Sequence, residues 1–116
     1  MPRIRNSNNP KSRDPDPLRT LTDDKAFYFY LGIGVPLGVK AGSLEDFAKI
    51  IPNLNPNSVE FHVKRRDFEN WILMLGDSEL ANQISSLGSK KLTPLQSREQ
   101  ISRIVKGRVS EIKKLK

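Results

Sequence analysis

The sequence predicts an α+β domain: a short N-terminal β-hairpin packed on a bundle of about four helices, over residues 23–116, behind an extended basic tail spanning 1–22. Three observations carry this. Residues 27–31 (Phe-Tyr-Phe-Tyr-Leu) alternate at the two-residue period of a half-buried strand and run into a Gly- and Pro-rich turn. Four later segments repeat apolar residues at helical spacing between recognisable start and stop signals. The first twenty residues offer only Ile4 and Leu18 for burial.

That tail, MPRIRNSNNPKSRDPDPLRT, is dominated by Asn, Ser, Pro and Arg, and Pro10, Pro15 and Pro17 forbid a regular helix or a central strand. Its apolar content is too small to offset the entropy of ordering it, so the tail is expected to order on a partner.

The folded part is expected to begin at AFYFYLGIGVPLGVKA. Phe27, Phe29 and Leu31 would face inward and Tyr28 and Tyr30 outward; Gly32, Gly34 and Pro36 mark the turn, and Leu37 to Ala41 return as the second strand. LGIGVPLG has neither the spacing of a phosphate loop nor a glycine fingerprint running into a helix, so it is read as a tight turn.

Helix signals follow. Ser43 is a candidate N-cap with Glu45 and Asp46 behind it, and Leu44, Phe47, Ala48 and Ile51 form a stripe that Pro52 ends. SVEFHV reads either as a strand, through Val59, Phe61 and Val63, or as a short helix capped by Ser58; helix is preferred. Asp67 is a candidate cap for Phe68, Trp71, Ile72 and Leu75, closed by Gly76. Asp77 caps Leu80, Ala81, Ile84 and Leu87, before Gly88. Thr93-Pro94-Leu95-Gln96 combines a capping box with proline at the first helical position and opens the closing helix. Its inner stripe is Ile101, Ile104, Val105, Val109, Ile112 and Leu115; Arg103, Lys106, Ser110 and Lys113 form a separate outer line.

These residue types exclude several kinds of chemistry. With no cysteine there is no disulfide framework, thiolate metal site or cysteine nucleophile. One histidine, His62, flanked by Phe61 and Val63, cannot build a triad or a ligand cluster and is expected to be a packed, hydrogen-bonded residue. Glu60 and Glu69 near it have no spacing that demands acid–base work. The protein is expected to be noncatalytic, to need no cofactor or metal and to take no small-molecule substrate. No apolar run reaches the roughly 20 residues that span a bilayer, and no apolar stretch follows Arg3 and Arg5 as a signal peptide would require, so no membrane partner and a cytoplasmic location are expected.

The net charge of +7 is unevenly placed. Residues 1–20 carry five basic and two acidic side chains and residues 101–116 carry six and one, whereas 21–60 hold three and five. Basic extremities around a nearly neutral middle are a footprint of polyanion binding by counterion release. The bland reading is a set of solvated surfaces. Within FHVKRRDFENWI, the run Lys64-Arg65-Arg66 stands at the partly positive end of the following helix, where cations are unfavourable unless an anion sits against them. Such a run is a candidate phosphate site, arginine forks and free helix N–H groups converging on one phosphate.

The spaced positions Phe61-His62, Asp67-Phe68-x-x-Trp71 and Leu75-Gly76-Asp77-x-x-Leu80-Ala81, with the aromatic strand and the Ser-Leu-Glu-Asp-Phe helix upstream, resemble an uncharacterised domain family of archaea and some bacteria, over roughly residues 26–112. The resemblance implies a prokaryotic, archaeal, α+β domain with the basic tail outside it; it implies no activity and assigns no binding residue. The functional expectation rests on the cations: a noncatalytic RNA-binding protein, its specific form a ribosome-associated (ribosomal) subunit whose partners are rRNA and neighbouring ribosomal proteins. Its contacts would be Arg3, Arg5, Lys11, Arg13, Arg19, Lys64, Arg65, Arg66, Lys90, Lys91, Arg103, Lys106 and Lys113. Tyr28 and Tyr30 could stack on bases. The alternatives are a protein-interaction module around Trp71 and the hairpin, and a chromatin protein that coats DNA.

Overall fold

The computed structural model describes residues 16–115 and has the α+β architecture the sequence predicts. Strands β1 (Phe27–Gly32) and β2 (Val35–Ala41) form an antiparallel hairpin. Then come α1 (Leu44–Ile50), a single 3-10 turn (Ile51–Asn53), α2 (Pro56–Arg65), α3 (Asp67–Leu75), α4 (Ser78–Leu87) and α5 (Pro94–Lys114). Helix α5 runs beneath the rest and packs on α1, α2 and α4.

A two-stranded ribbon alone is marginal in water. Here its inward face supplies Phe27 and Phe29, whose rings meet Phe47 of α1, His62 of α2, and Phe68 and Trp71 of α3 with centroids 4.9 to 6.4 Å apart. Helix α2 also takes the place of a third strand. The Tyr30 amide donates to His62 Nε2 (2.9 Å), and the Ser58 hydroxyl donates to the Tyr30 carbonyl (2.7 Å), so the open edge of β1 is satisfied by side chains at Tyr30. The other edge carries Pro36, which has no amide to offer. The register shifts on either side of Tyr30, and Gly38 takes the left-handed conformation (φ 75°) in the stretch of β2 that opposes the first shift.

Four local expectations are corrected. Leu31 is exposed, because the register shifts interrupt the alternation that would have turned it inward. Ser58 does not cap α2: Asn55 does, accepting the Asn57 amide (2.9 Å) with Pro56 at the first helical position, which frees the buried Ser58 for β1. Asp67 does not cap α3 either. It is the first helical residue, preceded by Arg66 in the left-handed region (φ 64°), the one non-glycine residue with positive φ among those described. That conformation costs an L-residue about 1 kcal/mol and makes the corner between α2 and α3. Leu115, finally, is exposed beyond the inner stripe of α5, which is otherwise buried at Ile101, Val105, Val109 and Ile112.

The remaining punctuation stands where the residues place it. Ser43, Asp77 and Thr93 accept the amides of Asp46, Leu80 and Gln96, Gln96 closes the capping box, and Gly76 (φ 101°) ends α3. Residues 16–22, read in the sequence as the end of the tail, lie against the body. Leu18 and Leu21 pack on the core, and the Leu21 amide reaches the Gly42 carbonyl (2.7 Å).

Asp77 has a second task. Besides capping α4 it is buried against α5, where Arg108 grips it with both prongs (Nε to Oδ2 2.7 Å, Nη2 to Oδ1 3.1 Å) while Nη1 reaches Glu111 (2.8 Å). These hydrogen bonds, led by those to Asp77, hold the Arg108 guanidinium even further above neutrality than usual.

Candidate nucleic-acid interface

Arg3, Arg5, Lys11 and Arg13 lie outside the described residues. The other predicted cations fall into distinct settings. Arg19 is committed to the fold: Nη1 donates to the Leu75 carbonyl (2.8 Å) and Nη2 to that of Met74 (3.2 Å), where the carbonyls at the C-terminal end of α3 favour a cation. Lys113 bridges to Glu45 of α1 (2.6 Å).

The Lys64-Arg65-Arg66 run is divided rather than convergent. Successive helical residues point about 100° apart, and the left-handed Arg66 adds a further turn. Arg65 lies over the Phe61 ring (5.2 Å to its centroid) and donates to Asp67 (3.1 Å), facing the hairpin. Lys64, beside Glu60 (3.7 Å), lines with Arg66 a separate depression shared with Ser85 and Ser89 at the end of α4. Lys90 and Lys91 are exposed in the loop before α5.

The outer line of α5 is where cations are brought together. Arg103 and Lys106 are exposed and line a depression of about 410 Å³ with Arg98, Glu99, Ser102 and Pro52. Lys106 and Pro52 also line an adjoining depression of about 460 Å³, whose other wall includes Lys49 and Glu45 of α1. The two therefore form one channel at the junction of α1, the 3-10 turn and α5, with Lys49, Arg98, Arg103 and Lys106 along it. Arg98 is anchored by donating to the Leu54 carbonyl (3.0 Å). Among the described residues, Lys49, Arg66, Lys90, Lys91, Arg103 and Lys106 form no ion pair. Lys49 and Arg98 are additions to the sequence-derived set. Arg98 was findable, because Arg98, Ser102 and Lys106 recur at i, i+4, i+8; Lys49 joins them only through the packing of α1 on α5.

His62 is structural in its surroundings. Nε2 accepts from the Tyr30 amide, so the ring proton sits on Nδ1 and is donated to Asp67 Oδ2 (2.8 Å). Burial lowers its pKa from the ordinary histidine value, opposed by the hydrogen bond to Asp67, while the Arg65 charge adds to the lowering. Protonating Nε2 would also turn the acceptor for Tyr30 into a donor. The folded chain therefore binds fewer protons than the unfolded one below pH about 6.5, and stability is lost as pH falls from there toward the lowered folded value. Urea unfolding at pH 7.5 and 5.0 should show a decrease of up to about 1.4 kcal/mol per pH unit from this group; unchanged stability across that window would mean the imidazole is not held neutral.

Among the described residues there is no group of three or more His, Asp or Glu placed to hold a metal ion, and no helix is long and apolar enough to cross a membrane. A hairpin laid across a helical bundle, with cation-lined depressions beside its longest helix, makes an α+β domain. The chain belongs to a family of unknown function, DUF5752, whose model matches residues 11–106. The match takes in residues 11–25, so part of the tail belongs to the family segment that the resemblance alone began near residue 26. No curated protein and no solved structure matches the chain.

Proposed function

We propose that this chain is a noncatalytic RNA-binding protein of the cytoplasm, in its specific form a ribosome-associated subunit contacting rRNA and neighbouring ribosomal proteins. The observation that supports this most is the channel on α5, where Lys49, Arg98, Arg103 and Lys106 follow one another along a concave surface. Several cations on one surface suit a phosphate backbone, which presents a row of charges rather than a single one. The four basic residues of segment 1–15 add to the same charge. Replacing Arg103 and Lys106 together by glutamate should weaken RNA binding at least tenfold at about 0.1 M salt, while thermal unfolding shifts by no more than a surface change usually causes, about 0.5 kcal/mol. Unchanged affinity in that variant would remove α5 from the interface.

A protein-interaction module remains the second reading, favoured by the apolar outer surface of the hairpin, where Tyr28, Ile33, Val35 and Val39 are exposed. Trp71 drops out of it, being buried.

A further inference from the structure

The cavity between the hairpin and the helices, about 410 Å³, is not part of the cation channel. Its hairpin wall consists of Tyr28, Tyr30 and the Gly32-Ile33-Gly34 turn; its helical wall consists of Phe61 and Arg65 of α2 with Asp67 and Asn70 of α3. Three properties describe what would fit. The walls are rich in rings: Tyr28 is exposed, and Tyr30 and Phe61 are half-buried. The Arg65 guanidinium carbon lies 5.2 Å from the centroid of the Phe61 ring, a cation–π contact at the edge of these rings. The charged groups of the lining, Arg65 and Asp67, are paired through the Arg65 Nε (3.1 Å), and Asp67 is further held by His62 (2.8 Å); the Arg65 guanidinium is the more exposed half of the pair. Asn70, exposed on the same wall, offers an amide with both a donor and an acceptor.

Planar walls, one cation at the mouth and an amide on the side match an aromatic heterocycle that carries a phosphate. We propose that this cavity receives one unpaired nucleobase of the bound RNA, with Phe61 and Tyr30 as stacking partners, Asn70 facing the base edge and Arg65 beside a flanking phosphate. The inference rests on the RNA-binding reading and deepens it: the channel on α5 would hold the backbone, and the hairpin cavity would give the protein its preference for single strands. A duplex keeps its bases stacked on one another and has none to offer.

The test compares a fluorescently labelled single-stranded RNA decamer with a fully paired duplex of the same length, both titrated with the full chain. The wild-type chain should favour the single strand. Phe61→Ala should lower single-strand affinity by about tenfold, within the range that loss of one base–aromatic stack produces, and leave the duplex affinity unchanged. Because Phe61 carries no charge, the slope of log affinity against log salt should not move, whereas the Arg103/Lys106 charge reversal should reduce it. Phe61→Tyr should restore binding. Phe61→Leu, which keeps apolar bulk without a ring, should behave as alanine does, and circular dichroism of each variant checks folding. If Phe61→Ala and Phe61→Leu bind the single strand as the wild type does while the charge reversal still weakens it, the cavity is not a base site and the RNA reading survives. If the apolar hairpin instead docks a protein, the wild-type chain will bind neither RNA, and both proposals fall together.

Discussion

Arg108→Ala should destabilise the domain by about 3–5 kcal/mol, the usual cost of leaving a buried charge without its partner. Asp77 is the charge left behind: it is buried, it caps α4, and both its oxygens are held by the guanidinium. The loss would be a large share of the 5–15 kcal/mol by which domains are ordinarily stable. Thermal or urea unfolding measures it directly. Pairing Arg108→Met with Asp77→Ser keeps an N-cap oxygen and removes the orphaned carboxylate, so much of the loss should be recovered; a double variant as unstable as the single one would show that the ion pair was not what mattered.

Trp71→Ala should cost a similar amount, about 3–5 kcal/mol, through a different mechanism. The indole lies nearly parallel to Phe47 (26°, centroids 5.4 Å apart), meets Phe27 edge-on at 5.6 Å, and donates from Nε1 to the Lys25 carbonyl (2.9 Å). Its removal opens a cavity under the hairpin and strips a partner from the segment leading into β1. Trp71→Phe keeps most of the ring contacts and gives up the hydrogen bond, worth about 1 kcal/mol. If alanine at 71 unfolds no more readily than phenylalanine, packing is not the dominant contribution there.

These two residues also mark how far the sequence could be read. Trp71 announced itself, standing at helical spacing between Phe68 and Leu75 in a segment closed by a glycine. Arg108 did not. It flanks the apolar stripe of α5 and looks like one more surface cation until the tertiary fold brings the turn before α4 alongside. The same holds at Asp67. A local rule makes it an N-cap, yet its carboxylate reaches back to His62 and Arg65, a geometry that exists only because Arg66 turns the corner in a left-handed conformation.

The candidate site divides in the same way. The outer line of α5 follows from periodicity alone, because residues on one helical face need no tertiary information. Lys49, which completes the channel, and the pairing of Tyr30 with Phe61 and Arg65 across the hairpin cavity depend on which elements pack together. The Lys64-Arg65-Arg66 run shows the opposite limit: adjacency in sequence suggests convergence, yet the end of α2 and the left-handed Arg66 send Arg65 to the hairpin side and leave Lys64 and Arg66 together on another. The residues that carry the family resemblance have structural partners here, among them His62 with Tyr30 and Asp67, Trp71 with Lys25 and Asp77 with Arg108.

The proposed RNA binding depends on the cations of α5 and the N-terminal segment meeting a phosphate backbone. The most direct measurement is the affinity of the full chain for a structured RNA as salt is raised from low ionic strength. Four contacts from the α5 channel alone predict tight binding at low salt and a slope of log affinity on log salt of about −3, steeper if the N-terminal cations also engage. Absence of measurable binding at low ionic strength, or an affinity indifferent to salt, would contradict it.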